Sequence, residues 1–477
     1  MQTLPFERPL SRRHLLGSAL ALGSNGVLSV AAAKALSPAL VTSLAQLQSA
    51  IDSARSGDVI YLKNGIYRNN KLNIRTDNIT VQAETPGGVF LNGNNALKIS
   101  GNRVVFRGFQ FTEGDAPGTA IEVSGSDNLL SELNFSGYAA KKCINVMAGS
   151  QRNEIAYCNF ENKPVSAPQG NMIEITPDRS ILGQHRIRYC SFRNMPGRGG
   201  DAGNEPIRLG NGALSGFNAA TLIEYCYWEN TGGGDSESIS VKCRHNVIRY
   251  CTFTNNPDGM LVFRNGDENM AYSNFFIRAG GIRIKQANSI YCFNNYFDNA
   301  GSDGRAGSVT LEYLGNNLKN LTFLHNTFVD SAAIQLGGVG AQNNVWANNV
   351  FVKAQGPLLA NTNNGTQWLG NAYQGDLGLP ATTGFTPLDA TWRRPPGGLA
   401  AWSDKLARLP SAQGVYPDLP QWLEAGNDAL IALDIAGRSR PAARTEKTIG
   451  CLQASSSALE LRPLTSAQAG PPYLSKQ

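Results

Sequence analysis

The stretch Arg186-Ile187-Arg188-Tyr189-Cys190-Ser191-Phe192 decides the fold, because the chain repeats it. The same order of polar, apolar, Cys or Asn, and aromatic residues returns as LIEYCYW ending at Trp228, VIRYCTF at Phe253, IYCFNNYF at Phe297, LTFLHNTF at Phe328 and VWANNVF at Phe351. Weaker copies end at Phe111, Phe135, Phe160 and Phe276, so ten copies follow one another at about 20 to 36 residues, a spacing typical of stacked repeats. Within each copy the alternation is that of a short strand, and Gly, Asn and Asp fill the gaps as turn formers. No helical pattern separates the copies, which excludes βαβ units. The expected fold is all-β: a right-handed parallel β-helix whose coils stack about 4.8 Å apart and satisfy one another's backbone groups.

Stacking turns sequence positions into columns. Two residues before the aromatic stand Cys158, Cys190, Cys226 and Cys251, then Asn274, Asn295, Asn326 and Asn349. That column is expected to hold small buried thiols first and then amides that hydrogen-bond from coil to coil. The eight cysteines are therefore read as reduced core fillers rather than as a disulfide framework. The aromatic column is core for the same reason. His185, His245 and His325 lie inside repeat copies without metal-ligand spacing and are read as structural.

Outside the repeats, Leu44 to Ala54 has helical spacing and predicts a helix that caps the first coil. The β-helix is expected over residues 36–380, a wrapping segment over 381–454 and a disordered tail over 455–477. Residues 1–35 read as an export signal of the twin-arginine type: Arg12-Arg13 precede a mildly apolar stretch, and Ala33-Lys34-Ala35 offers a cleavage site. The expected location is periplasmic or secreted. No later run is apolar enough to span a bilayer. Residues 1–35 also carry Arg8, Arg12, Arg13 and Lys34 against Glu7, which is +3 of the formal +6. The remainder is close to neutral, so a polyanion has to be attracted by a local basic groove. Neither nucleic acid nor membrane is expected as a partner, and the expected state is a monomer or weak dimer.

One cluster stands out as chemistry. Asp235-Ser236-Glu237-Ser238-Ile239-Ser240-Val241-Lys242 is followed by Phe263-Arg264-Asn265-Gly266-Asp267, and Lys242 and Arg264 are 22 residues apart, about one coil. They are expected to stack as neighbours on one surface, with Asp201 to Arg208 on the preceding turn. The set suits removal of a proton α to a carboxylate. That carboxylate must first be neutralised by cations or a metal, and Asp235 and Glu237 supply the oxygens that calcium prefers. An amine acting as base has to be neutral, a form favoured by neighbouring positive charge. The alternative is a solvated salt-bridge ladder. On the next turns, Arg283, Lys285, Glu312 and Tyr313 are candidates for lining a substrate groove.

Three segments, NEPIRLG at 204 to 210, DSESISVK at 235 to 242 and FRNGD at 263 to 267, resemble polysaccharide lyase family six, the group of chondroitinase B and many alginate lyases. The resemblance is closest from Asp201 to Ile277 and extends loosely from Leu44 to about Gly450. It implies that Lys242 is the Brønsted base, that Arg264 is the acid, that Asp235 and Glu237 bind calcium, and that Arg208 lies near that site. The family's calcium-binding asparagine falls six residues before Arg208, which is Ala202 here, so Asn204 or Asp201 would have to substitute. The implied partner is an anionic polysaccharide, alginate first and dermatan sulfate second. A polygalacturonase-like hydrolase needs grouped aspartates where this chain has Lys and Arg. A uronan C5-epimerase would break the same C–H bond, but the Asp-Pro-His-Asp motif typical of such enzymes is absent. A non-catalytic carbohydrate-binding β-helix would not need Lys242.

Overall fold

The computed structural model describes residues 39–195, 203–232, 236–301, 307–312, 318–337, 342–360, 365–379, 383–393, 398–406, 408–412, 416, 431–454 and 461–475. The expected export signal lies outside them. Among the described residues no helix is long and apolar enough to cross a membrane.

Nearly every strand pairs in parallel with the strand three positions later in sequence, which is how each coil stacks on the next. The result is a parallel β-helix of three sheets. Among the described residues sheet A has 14 strands, from Ala39–Val41 to Thr366–Leu369; sheet B has 14, from Gly65–Arg68 to Phe385–Pro387; sheet C has 12, from Asn73–Ile74 to Leu359–Ala360. The cap is a helix, α1 (Leu44–Ser53), whose N-terminus is closed by the Ser43 side chain accepting from Gln46 N at 3.2 Å. Its Leu47 and Ile51 are buried in the main core, covering what would otherwise be an open first coil.

The repeat phrase is two strands rather than one. Arg186–Arg188 belongs to sheet A and Ser191–Arg193 to sheet B, with a corner between them at Tyr189, φ 52°. Equivalent corners fall at Tyr157, Tyr225, Tyr250, Asn294, His325 and Asn348, all at positive φ. Alternation alone predicts an unbroken strand, because side-chain pattern does not report a left-handed residue, least of all a tyrosine.

After each corner the next residue turns inward. Cys158, Cys190, Cys226 and Cys251 are buried free thiols. Asn274, Asn295, Asn326 and Asn349 continue the column and Asn371 ends it; each passes a side-chain N–H to the next side-chain oxygen at 3.0 Å and accepts the preceding backbone N–H at 2.9–3.0 Å. The aromatic column stacks inside sheet B from Phe111 to Phe351, with neighbouring ring centroids 4.3–5.3 Å apart.

Past the last coil the chain returns along the outside. Helix α2 (Gly398–Leu406) carries Trp402 and Leu406 into an apolar cluster with Leu409, Ile449, Cys451, Leu452 and Leu461, over the outer face of sheet B at Phe275, Tyr296, Val329 and Val350. Ile431 does the same for sheet A at Leu222, Val247, Met270 and Tyr291. The expectation of a disordered tail from Ser455 fails over 461–475. Leu464 N donates to Thr252 Oγ1 at 2.8 Å, Gly470 N to Tyr189 O at 2.7 Å and Tyr473 Oη to Glu132 O at 3.2 Å. The tail docks through Leu461 in that apolar cluster, through backbone groups and through one aromatic ring, so it needs no apolar periodicity to be ordered.

Candidate active site

Sheet C is where charge collects. Along its middle strands, Ile207 and Leu209, Ile239 and Val241, Leu261 and Phe263, and Ile282 and Ile284 point into the core. Strand parity then turns their neighbours outward. One outward column runs Glu174, Arg208, Ser240, Val262, Arg283, Thr310 through paired positions of successive rungs. The next holds Arg264, Lys285 and Glu312 as direct partners, and Lys242 precedes Arg264 because Val241 pairs with Phe263 one residue earlier. Lys242 and Arg264 are thus neighbours across one rung, as their spacing predicts.

Glu237 needs a different explanation. It lies five positions before Lys242, an odd step that puts the two on opposite faces of a regular strand. The register shifts instead: Glu237 pairs with Met260 and Ile239 with Leu261, leaving Ser238 unmatched. This β-bulge turns Ser238 toward Thr231 Oγ1 at 2.9 Å and Asn256 Nδ2 at 2.7 Å. It brings Glu237 within 3.5 Å of Arg264 Nη1.

Each cation has a carboxylate neighbour. Lys242 Nζ lies 3.4 Å from Glu205 Oε1, and Glu205 Oε2 accepts from Asn171 Nδ2 at 2.7 Å. Glu174 holds both Arg208 and Lys142 at 2.8 Å. Glu312 accepts from Arg283 Nε at 2.6 Å and lies 3.4 Å from Lys285. Four buried polar atoms on the same face have no hydrogen-bond partner among the described residues: Glu237 Oε2, Ser240 Oγ, Arg208 Nε and, in the same column beside Glu174, Asn145 Oδ1. Such groups are uncommon in folded proteins, and others lie elsewhere along the coil, as at Asn70, Thr221 and Trp346.

Of the residues singled out from sequence, Lys242, Arg264, Glu237, Arg208, Arg283, Lys285 and Glu312 therefore share this face. Asp235 and Tyr313 lie outside the described residues. Asn204 is buried beside Glu205, but its Oδ1 accepts from Gly170 N at 3.0 Å and lies 3.5 Å from Lys163 Nζ. An oxygen so engaged is not presented to a cation. Among the described residues no group of three or more His, Cys, Asp or Glu is placed to hold a metal, and Glu237 is the expected ligand that keeps a free oxygen. The described residues do not by themselves make a calcium site.

Sequence reasoning missed Glu205, Asn171, Glu174 and Lys142. Glu205 stands in the NEPIR segment, and its signal was the proline after it: a residue before proline is held extended, which fixes where its side chain leaves the backbone. The other three give no local signal.

Comparison with known proteins bears on the fold and the family. No curated protein matches the chain in sequence. Among solved structures, the alginate lyase AlyGC superposes with a TM-score of 0.68 at 23% identity, over 76% of this chain and 55% of AlyGC. The present chain thus spans little more than half of that relative. A mannuronic acid specific family six lyase from human gut microbiota gives 0.65 at 21% identity, covering 83% of this chain and 98% of its own. The family six lyase of Pseudopedobacter saltans gives 0.59 at 18% identity, covering 91% and 99%. At such identities the likeness speaks for the fold. The sequence pattern of the chondroitinase B family matches residues 41–342, well over half of the chain and the whole of sheet C's charged centre, and the chain belongs to that family, polysaccharide lyase family six.

Proposed function

We propose that this chain cleaves a uronate polysaccharide by β-elimination, with alginate as its first substrate, Lys242 as the base and Arg264 as the group that eases departure of the leaving oxygen. The observation that supports it most is a lysine and an arginine at neighbouring positions of adjacent rungs of sheet C, on the outward face that also carries Glu237, Ser240 and Arg208.

The polymer lies along sheet C, so that successive sugars meet successive rungs. Arg208 pairs with the carboxylate of the reacting sugar, spreading its charge and making the C5 hydrogen more acidic. Lys242 Nζ, as the neutral amine, takes that hydrogen as a proton. The C5–H electron pair becomes the C4–C5 double bond, and the C4–O bond breaks with its pair on the glycosidic oxygen. Arg264 donates hydrogen bonds to that oxygen as its charge grows. A guanidinium keeps its own protons, so the oxygen is finally protonated by solvent or by the Lys242 ammonium. Arg283 and Lys285, one rung further on, pair with the carboxylates of neighbouring sugars. Calcium is given no step here.

Alginate is preferred over dermatan sulfate because the similar folds include an alginate lyase and a mannuronate-specific lyase. Reading residues 1–35 as a twin-arginine leader fits an enzyme that meets such a polymer outside the cytoplasm. The test is incubation with alginate and with dermatan sulfate, with and without chelator, following the ultraviolet absorbance of unsaturated uronate ends. Alginate is expected to give product and the Lys242→Ala variant none. Uncut polymer with altered C5 configuration, or binding without product, would rule the proposal out.

A further inference from the structure

We infer that Glu205, braced by Asn171, is the positioning residue for Lys242; this rests on the reading of Lys242 as the base. A lysine side chain has four rotatable carbons and a compact charge, and left to itself it samples many positions. A base must instead stand within hydrogen-bond reach of the proton it takes. Something has to hold Nζ.

The neighbours in Lys242's own column cannot do so. Arg264 repels it, and Lys285 lies beyond Arg264. The holding group comes from the side. Glu205 leads into the strand Ile207–Leu209, one coil earlier, and only 4% of its side chain is exposed. Its two oxygens have separate duties: Oε1 faces Lys242 Nζ at 3.4 Å, and Oε2 accepts from Asn171 Nδ2 at 2.7 Å. Asn171 is fully buried one coil earlier still, and its Nδ2 also reaches Glu205 O at 3.2 Å. Pro206, itself buried, restricts Glu205 to extended backbone, and its carbonyl accepts from Ile173 N at 3.0 Å. Three successive coils therefore converge on one amine.

A contrast within the same sheet separates this arrangement from an ordinary salt-bridge ladder. Glu312, which serves Arg283 and Lys285, is 27% exposed and lies in register with Lys285, as rung neighbours do. Glu205 is nearly inaccessible, is anchored by a buried amide and lies outside the column. A buried carboxylate without partners is costly, so its two partners are also what keep it in place.

The argument predicts a change in turnover rather than in affinity. Glu205→Ala should lower kcat about a hundredfold, the scale for loss of orientation of a reacting group, while KM for alginate stays near its original value. Glu205→Gln should recover most of that loss. Its amide oxygen still accepts from Lys242, and Asn171 can rotate its side-chain amide so that Oδ1, which has no partner among the described residues, accepts from the new N–H. Circular dichroism and thermal midpoints for both variants establish that folded protein is being assayed, and the near-isosteric glutamine covers the case in which the alanine variant does not fold. Folded Glu205→Ala turning over at the original kcat would overturn the inference, as would a Glu205→Gln variant no better than Glu205→Ala. Lys242→Ala in the same assay reads the base assignment separately: if that variant still cuts alginate, the base is wrong whatever the Glu205 variants do.

Discussion

Sheets B and C are built from the same coils, yet their outer faces have opposite fates. On sheet B the outward residues Phe275, Tyr296, Val329 and Val350 are apolar, and the returning chain covers them with Trp402, Leu406, Ile449 and Leu452. Sheet C turns Arg208, Arg264, Arg283 and Lys285 outward, paired with the carboxylates of Glu174, Glu237 and Glu312. A β-helix offers three nearly equivalent faces, and the outward residues decide what each meets. Apolar ones call for more protein; charged ones leave room for a charged polymer.

The comparison breaks if mutations on the two faces act alike. Lys242→Ala should cost about ten-thousandfold in kcat, the upper end of what a positioned base contributes, with little change in thermal midpoint. Trp402→Ala should do the reverse, lowering unfolding free energy by about 3–5 kcal/mol in denaturant titration while the folded fraction keeps its turnover. If the tryptophan variant loses turnover while folded, the covered face is not merely cover.

Acidification sharpens the contrast, because it acts on the interior as well as on the site. Burial, with Arg152 nearby, pushes the His185 imidazole down from 6.5 to about 4, and its Nδ1 accepts from Asn153 N at 3.2 Å. The folded pKa lies below the unfolded one, so this stability is complete above pH 6.5 and is lost as pH falls toward 4. The loss should reach about 3 kcal/mol. It should appear equally in Lys242→Ala, as a fall in midpoint with pH. A His185→Gln variant with an unchanged slope over that range would refute it. Smallest is the effect expected inside the amide column. Asn326→Ala removes a donor to Asn349 Oδ1 and the acceptor for Asn295, and should cost about 1–3 kcal/mol.

Much of this could be read from the chain itself. The aromatic and amide columns follow from one phrase repeated, and the Lys242–Arg264 pair from a separation equal to one coil. Other features stayed hidden for physical reasons. Parity misplaces Glu237 relative to Lys242, because the unmatched Ser238 arises from pairing with Met260 and Leu261 and has no local signature. The corner at Tyr189 was hidden because a tyrosine in left-handed backbone is held there by its neighbours in the stack, not by its own preference. Glu205 was passed over because its partners are 34 and 37 residues away, brought close by coils of unequal length. The ordered tail could not be foreseen, since it is fixed by what it lies on.

That tail changes how the whole rod should come apart. In a simple solenoid each coil touches its neighbours alone, so the ends can peel away while the middle stands. Here a single segment is fastened near Thr252, at Tyr189 and at Glu132, and its Tyr473 ring rests against Gly87. Peeling the first coils means lifting the segment 461–475 as well. Like a binding sewn along the spine of a book, it makes loosening one leaf a matter for all of them, and melting should be correspondingly abrupt.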